Sequence, residues 1–354
     1  MTQIVYFGVD FHARVQTVAY CDSADGEILV KELTHKGKEQ VRDFYAQFSG
    51  EVVVGLEASG YSRWFERMLE QLGHQVWLGH AADIRRVANR RQKNDRRDAE
   101  LILDLLVKNE FPRIHRCSNE SLEILRTLRY RNKLVKMRTM IKNSLHALAI
   151  SSGLSIKSRL LTRSGRDQLN ALDMSPAMSK QREEWLALVD ILNQRISPVE
   201  KWLDEQGQND KRVGLLRTHP GIGPLTSLGL VHTLEPVSRF SNPRKVVAYI
   251  GMEPMERSSA EKKRYLGISK AGSRLLRFLL VEAAQTAVKN DPNLRKFFLR
   301  LMTKRGYARA ITAVGRKLLV RGYIMLRDQI DYAEFLRRGV EVRLAREDAK
   351  PSNA

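Results

Sequence analysis

The stretch 4-IVYFGVD-10, read with 15-VQTVAYC-21, 28-ILVKEL-33, 51-EVVVGL-56 and 74-HQVWL-78, decides the architecture of the first part of the chain. Each segment is a short run rich in apolar, β-branched or aromatic residues, the pattern of a strand. The turn signal Ser23-Ala24-Asp25-Gly26 separates the second from the third, and short links between the first three predict an antiparallel meander. Lys36–Phe48 and Tyr61–Leu72 carry apolar residues at helical spacing, and Gly79 closes the last strand. The predicted order from Ile4 to Gly79 is β-β-β-α-β-α-β, within a domain expected to span residues 1–110.

This order belongs to the ribonuclease H type of fold, a mixed five-stranded sheet with helices on its faces, an analogy that carries no activity by itself. Four carboxylates stand at element ends: Asp10 ends the first strand, Glu57 ends the fourth, and Asp95 and Asp98 lie in 93-KNDRRDA-99. Asp95 and Asp98 share one face of a helix. In such a sheet the first and fourth strands are neighbours, so Asp10 and Glu57 would meet, and a crossing helix could bring the other two. Four converging carboxylates repel unless some protonate or a divalent cation neutralises them. Magnesium, or manganese in its place, is the natural ion for oxygen ligands and phosphate chemistry. Read singly, each is also a turn residue or helix cap, and Arg96 and Arg97 could make the second pair a surface ion-pair set.

The character changes after residue 110. Residues 118–150 contain no Gly or Pro and carry leucines at helical spacing, enough for one helix of about 50 Å. A second helical pattern runs from Pro176 to Glu205, with Pro198 expected to kink or break it. Together they predict a basic helical arm over 111–210, with Arg129, Lys133 and Lys136 facing a nucleic-acid backbone. Residues 211–330 read as mostly helical. There, 220-PGIGP-224 between two helical patterns is a helix-hairpin-helix signal, placing Gly221 and Gly223 at a DNA phosphate, although a plain inter-helix turn has the same look. Ser258 and Ser259 fall in a predicted loop with Arg257, Lys262, Lys263, Arg264 and, further on, Lys270. These cations suit a phosphodiester, and most serines so placed are phosphate contacts or turn residues. Residues 331–354 read as a last helix and a polar tail.

Composition narrows the function. The 354 residues hold 61 Lys+Arg and 40 Asp+Glu, a net charge of +21. The charge is segregated: residues 1–80 carry 7 basic and 11 acidic side chains, residues 111–160 carry 11 and 2, and residues 257–327 carry 18 and 3. Such density calls for a polyanion, and phosphate backbones are the usual one. A membrane surface fits less well because the basic stretches lack a large aromatic face. Two cysteines cannot build a disulfide framework or a four-thiolate zinc site. No apolar run reaches a membrane span and the N-terminus lacks a basic n-region, so no membrane partner and a cytoplasmic, nucleoid-associated location are expected.

The ordered set GVDFH, GLEASG, KNDRRDAE, THPGIGPLTS, AYIGMEP, RSS and LGISKAGSRLLR resembles the transposases of the insertion-sequence-110 family, over residues from about 4 to 330. That resemblance implies a prokaryotic DNA recombinase with a RuvC-like domain, a coiled-coil arm and a C-terminal transposase domain supplying a catalytic serine. Carried onto this chain, its Asp-Glu-Asp-Asp tetrad is Asp10, Glu57, Asp95 and Asp98. The serine is Ser259; family members often have Gly after it and this chain has Ala260, which keeps Ser258 as the alternative. The resemblance further implies a covalent phosphoserine link and a Holliday-junction-like intermediate. It implies a homo-oligomer, dimer or tetramer, in which one subunit's tetrad works with another's serine. Donor and target DNA and a structured guide RNA, the bridge RNA, are the implied partners. The rival readings are a metal-dependent junction resolvase without serine chemistry and a non-catalytic nucleic-acid-binding scaffold.

Overall fold

A computed structural model describes residues 3–24, 26–87, 94–154, 159–259 and 262–339, with the backbone alone at 256–259 and 262–265. The chain divides into two compact units, residues 1–116 and 117–354.

In the first unit the strands β1 (Ile4–Phe11), β2 (Val15–Asp22), β3 (Leu29–Thr34), β4 (Glu51–Glu57) and β5 (Gln75–Gly79) form one sheet, interleaved with α1 (Lys38–Ala46) and α2 (Arg63–Gln71) and followed by α3 (Ala81–Val87) and α4 (Asp95–Val107). The spatial order is β3-β2-β1-β4-β5, antiparallel across β3-β2-β1 and parallel across β1-β4-β5. The expected meander and element order are therefore present. Alternation along β1 sends Val5, Phe7, Val9 and Phe11 into a core with Val41, Phe44 and Tyr45 of α1 and Phe65 and Leu69 of α2. Its other face packs on α4. Covered on both faces, β1 and β4 read as nearly continuous apolar runs.

One glycine sets how close α4 comes. A Cβ at Gly8 would lie 2.3 Å from the Ala99 carbonyl oxygen and 2.4 Å from the Leu103 nitrogen, both backbone atoms of α4. The helix therefore lies directly on β1, and its first turn reaches the C-terminal end of that strand.

The second unit is mostly helical. Helices α5 (Asn119–Ser151) and α7 (Pro176–Gln208) pair antiparallel, with α6 (Arg163–Asn170) between them in sequence. Leu145 and Ala149 meet Leu186 and Val189 at one end of the pair, and Leu134 meets Leu192 and Ile196 in the middle. At the other end Ile124, Leu128 and Leu203 enter the core of the remaining helices. These are α8 (Lys211–Arg217), α9 (Pro224–Leu234), α10 (Pro243–Ile250), α11 (Arg274–Asn290), α12 (Pro292–Arg305) and α13 (Tyr307–Asp328), with residues 332–339 also helical.

Two expectations are corrected. Helix α7 runs through Pro198 without a break. The proline lies on the exposed face beside an exposed Gln194, where water can take the carbonyl that has no amide partner, and the packed face on α5 is untouched. Second, Ser258 and Ser259 are not in a loop. They end β6 (Pro254–Ser259), which pairs antiparallel with β7 (Lys262–Ile268). The strands were hidden because 256-ERSSAEKKR-264 has no apolar alternation to mark them.

Candidate functional site

The first unit gathers titratable groups at the C-terminal end of β1. Asp10 is the last residue of β1 on the α4 face, and His12 follows where the chain turns into β2, its N–H donating to the Val15 carbonyl at 3.0 Å. Asn94 caps α4 by accepting from the Arg96 amide at 3.1 Å, which fixes where the helix begins. With α4 seated on Gly8, that start places Asp95 and Asp98 against the strand end.

His12 Nε2 lies 3.2 Å from Asp10 Oδ2 and 3.8 Å from Asp95 Oδ2. Ligand atoms of Asp10, His12 and Asp95 all fall within 4.8 Å of one another, and among the described residues this is the group that could hold a metal ion. Burial pushes the Asp10 carboxyl up from its ordinary range; the adjacent His12 opposes the shift, and the like charges of Asp95 and Asp98 add to it. Two hard oxygens and an imidazole nitrogen form a donor set that a divalent ion accepts, so the residues present fit one.

Glu57 stands apart from that group. The register Val9↔Leu56 brings the ends of β1 and β4 side by side. Yet the Glu57 carboxylate accepts from Arg85 of α3 at 3.1 Å, and both side chains are exposed. On the other flank, Asp10 pairs with Thr17 and Thr17 with Glu32 across β2 and β3. A cleft of about 530 Å³ lined by Thr17, Val30, Glu32, Asn94, Asp95 and Arg96 opens there. Neither His12 nor Glu32 is singled out by sequence reading. His12 carries a signal, two residues beyond Asp10, whereas Glu32 becomes a neighbour only through strand pairing.

In the second unit Ser258 pairs in register with Lys263, Ser259 with Lys262, and Arg257 with Arg264. Their side chains, and Ala260 altogether, lie outside the described residues, as does the tail from residue 340. Arg129, Lys133 and Lys136 are exposed on α5, at spacings that share one face. Gly221 has φ +96°, and a Cβ there would lie 2.7 Å from the Ala283 carbonyl oxygen of α11. Conformation and packing alone thus require that glycine. Gly223 caps α9 with open space around it. Lys270 is exposed, with φ 59°, and its amide donates to the Gly251 carbonyl at 3.0 Å.

A transposase model of the IS110 DEDD type matches residues 7–150, and the model for transposases of the IS116/IS110/IS902 family matches residues 213–299. The chain is 26% identical over 312 residues to a probable family 20 transposase of Pseudomonas aeruginosa, covering 86% of this chain and 91% of that one. It is 28% identical over 236 residues to the transposase for insertion sequence element IS1111A of Coxiella burnetii, covering 64% of each. It is 25% identical over 291 residues to the transposase for element IS1328 of Yersinia enterocolitica, covering 80% of this chain and 84% of that one.

Proposed function

Since the chain belongs to the IS110 family of insertion-sequence transposases, we propose that it cuts and rejoins DNA strands using the carboxylates at the end of β1 and a serine of the β6–β7 hairpin. The observation that carries the reading is the convergence of Asp10, His12 and Asp95 on one point at the end of a central strand. The strand order β3-β2-β1-β4-β5 supports reading the first unit as RuvC-like, of the ribonuclease H type.

Asp10, Asp95 and Asp98, with Glu57 released from Arg85, would hold magnesium or manganese. The ion, when bound, supplies positive charge against the phosphodiester. His12, whose Nε2 lies 3.2 Å from Asp10 Oδ2, would add a nitrogen ligand to that set. The Ser259 hydroxyl, with Ser258 as the alternative, attacks phosphorus. An Oγ–P bond forms as one bridging P–O bond breaks, and the leaving strand oxygen takes up a proton as the hydroxyl gives one up. Rejoining through a Holliday-junction-like intermediate reverses that exchange on a new strand. Arg257, Lys262, Lys263 and Arg264 surround the serines in sequence and suit the charge on that phosphate. The basic face of α5 suits a guide RNA, whose A-form shape and backbone a protein can bind while base pairing selects the DNA. A homo-oligomer, dimer or tetramer, would provide the paired sites that two-ended transposition needs.

The test is denaturing electrophoresis of labelled DNA after reaction, with peptide mapping of any adduct. Ser259→Ala should abolish a covalent protein–DNA adduct while nucleic-acid binding persists. An adduct mapped to Ser258 would move the assignment by one residue. Divalent-metal-dependent cleavage with no adduct at all would favour the second reading, a junction resolvase that uses water.

A further inference from the structure

Away from both regions, the second unit contains a cleft of about 630 Å³ whose lining includes Phe297 of α12, Arg316, Lys317 and Arg321 of α13, and Phe335 and Leu336 of the helix at 332–339. Its charge is unbalanced. Arg321 is committed: it pairs with Asp291, and Asp291 also accepts from the Tyr332 hydroxyl at 2.6 Å. Arg316 and Lys317 have no carboxylate partner among the described residues, and Arg300 stands nearby in the same condition. The Lys317 amine is 4.5 Å from the Phe297 ring centroid and the Arg300 guanidinium 5.7 Å from it, so two cations crowd one aromatic wall. Partial burial, together with Arg321 and Arg300, holds the amine below its ordinary range.

Arg316 and Lys317 are exposed at the rim of this partly apolar cleft, so an anion gains their attraction without displacing a carboxylate. A planar guanidinium beside a compact ammonium suits the several oxygens of a phosphate better than the two of a carboxylate. The cleft exceeds a bare phosphate in size, and its Phe297, Val320, Phe335 and Leu336 walls suit the sugar and base that flank a phosphodiester. We propose that this cleft between α12, α13 and the helix at 332–339 is a phosphate-group site, and that the phosphate belongs to the backbone of a nucleic-acid strand. The inference rests on the transposase reading only for that source; the cation arrangement stands without it.

The experiment compares the full-length chain with Arg316→Gln/Lys317→Gln and with a control pair, Lys201→Gln/Lys211→Gln, that removes the same charge from exposed surface elsewhere. Circular dichroism confirms that all three fold. One arm measures anisotropy of a fluorescein-labelled oligothymidylate across a salt series. The cleft pair should bind about tenfold more weakly, with the slope of log affinity against log salt reduced by about 1.4, or about 0.7 for each phosphate no longer neutralised. The other arm measures thermal stabilisation by inorganic phosphate, which should vanish in the cleft pair and persist in the control pair. Loss of both responses assigns the site to a strand backbone. Loss of the phosphate response alone keeps a phosphate-group site and assigns it to a free phosphoryl ligand. A cleft pair that behaves as the control pair does in both arms overturns the proposal. Neither arm needs strand cleavage, so a failure here leaves the carboxylate site standing, and an inactive carboxylate site leaves this result readable.

Discussion

At the residue scale, Asp10 shows how gathering carboxylates at a strand end costs stability. Its folded-state proton affinity exceeds that of an ordinary aspartate, first through burial and then through Asp95 and Asp98. The folded chain holds this proton more tightly than the unfolded chain does, so the group favours folding at low pH and that contribution disappears as pH rises through its folded value. Asp10→Asn should accordingly raise the melting temperature in chelator at neutral pH while abolishing strand exchange; scanning calorimetry and a recombination assay check the two halves. If the variant is less stable, the cluster is not repulsive. His219 has the opposite sign. Burial holds its imidazole down at about 4, against the upward pull of its hydrogen bond with the Pro220 carbonyl, and Arg321 adds to the depression. Nδ1 donates to that carbonyl, leaving Nε2 to accept from Arg321 at 3.1 Å. Between about pH 6.5 and about pH 4 the unfolded chain binds a proton that the folded chain refuses. Stability should therefore fall on acidification by up to roughly 3 kcal/mol from this residue, and urea unfolding of His219→Gln across that window should show a shallower fall.

At the element scale, the seating of α4 on β1 determines whether Asp95 and Asp98 reach Asp10. Gly8→Ala puts a methyl group into the α4 backbone, and either the helix lifts or the strand bends. The expected cost is about 2 kcal/mol in urea unfolding, with a fall in strand exchange out of proportion to the change in stability. Equal activity in the two chains would show that the carboxylates tolerate a displaced helix. Leucine spacing predicts both helices of the α5–α7 pair to within a few residues at their ends. Pro198 escapes that reading because its cost depends on which helix face it occupies, and that face is defined only once α5 is in place.

At the scale of the whole molecule, charge rather than shape predicts behaviour. Reversal of Arg129, Lys133 and Lys136 to Glu should flatten the salt dependence of RNA binding by about 0.9 for each duplex phosphate left unneutralised, measured by filter binding over a salt series. An unchanged slope would take this face of α5 out of the interface. The bulk charge alone does not locate the interface, since exposed cations are spread over both the arm and the terminal helices.

Sequence alone determined the order of strands and helices from β1 to β5, because the central strands, covered on both faces, must be apolar and their links are short. It also determined the segregation of charge and the positions of Asp10, Glu57, Asp95 and Asp98 at element ends. Tertiary structure decided which of these groups meet. Asp10, His12 and Asp95 converge because Gly8 admits the α4 backbone and Asn94 begins that helix at the right turn. Glu57 is turned toward Arg85, a partner 28 residues away that no local spacing reveals. The β6–β7 hairpin and the cleft around Lys317 stayed hidden for the same reason. Backbone pairing without apolar alternation, and unpaired charge on packed helices, are properties of distances between segments, and one-dimensional periodicity does not carry them.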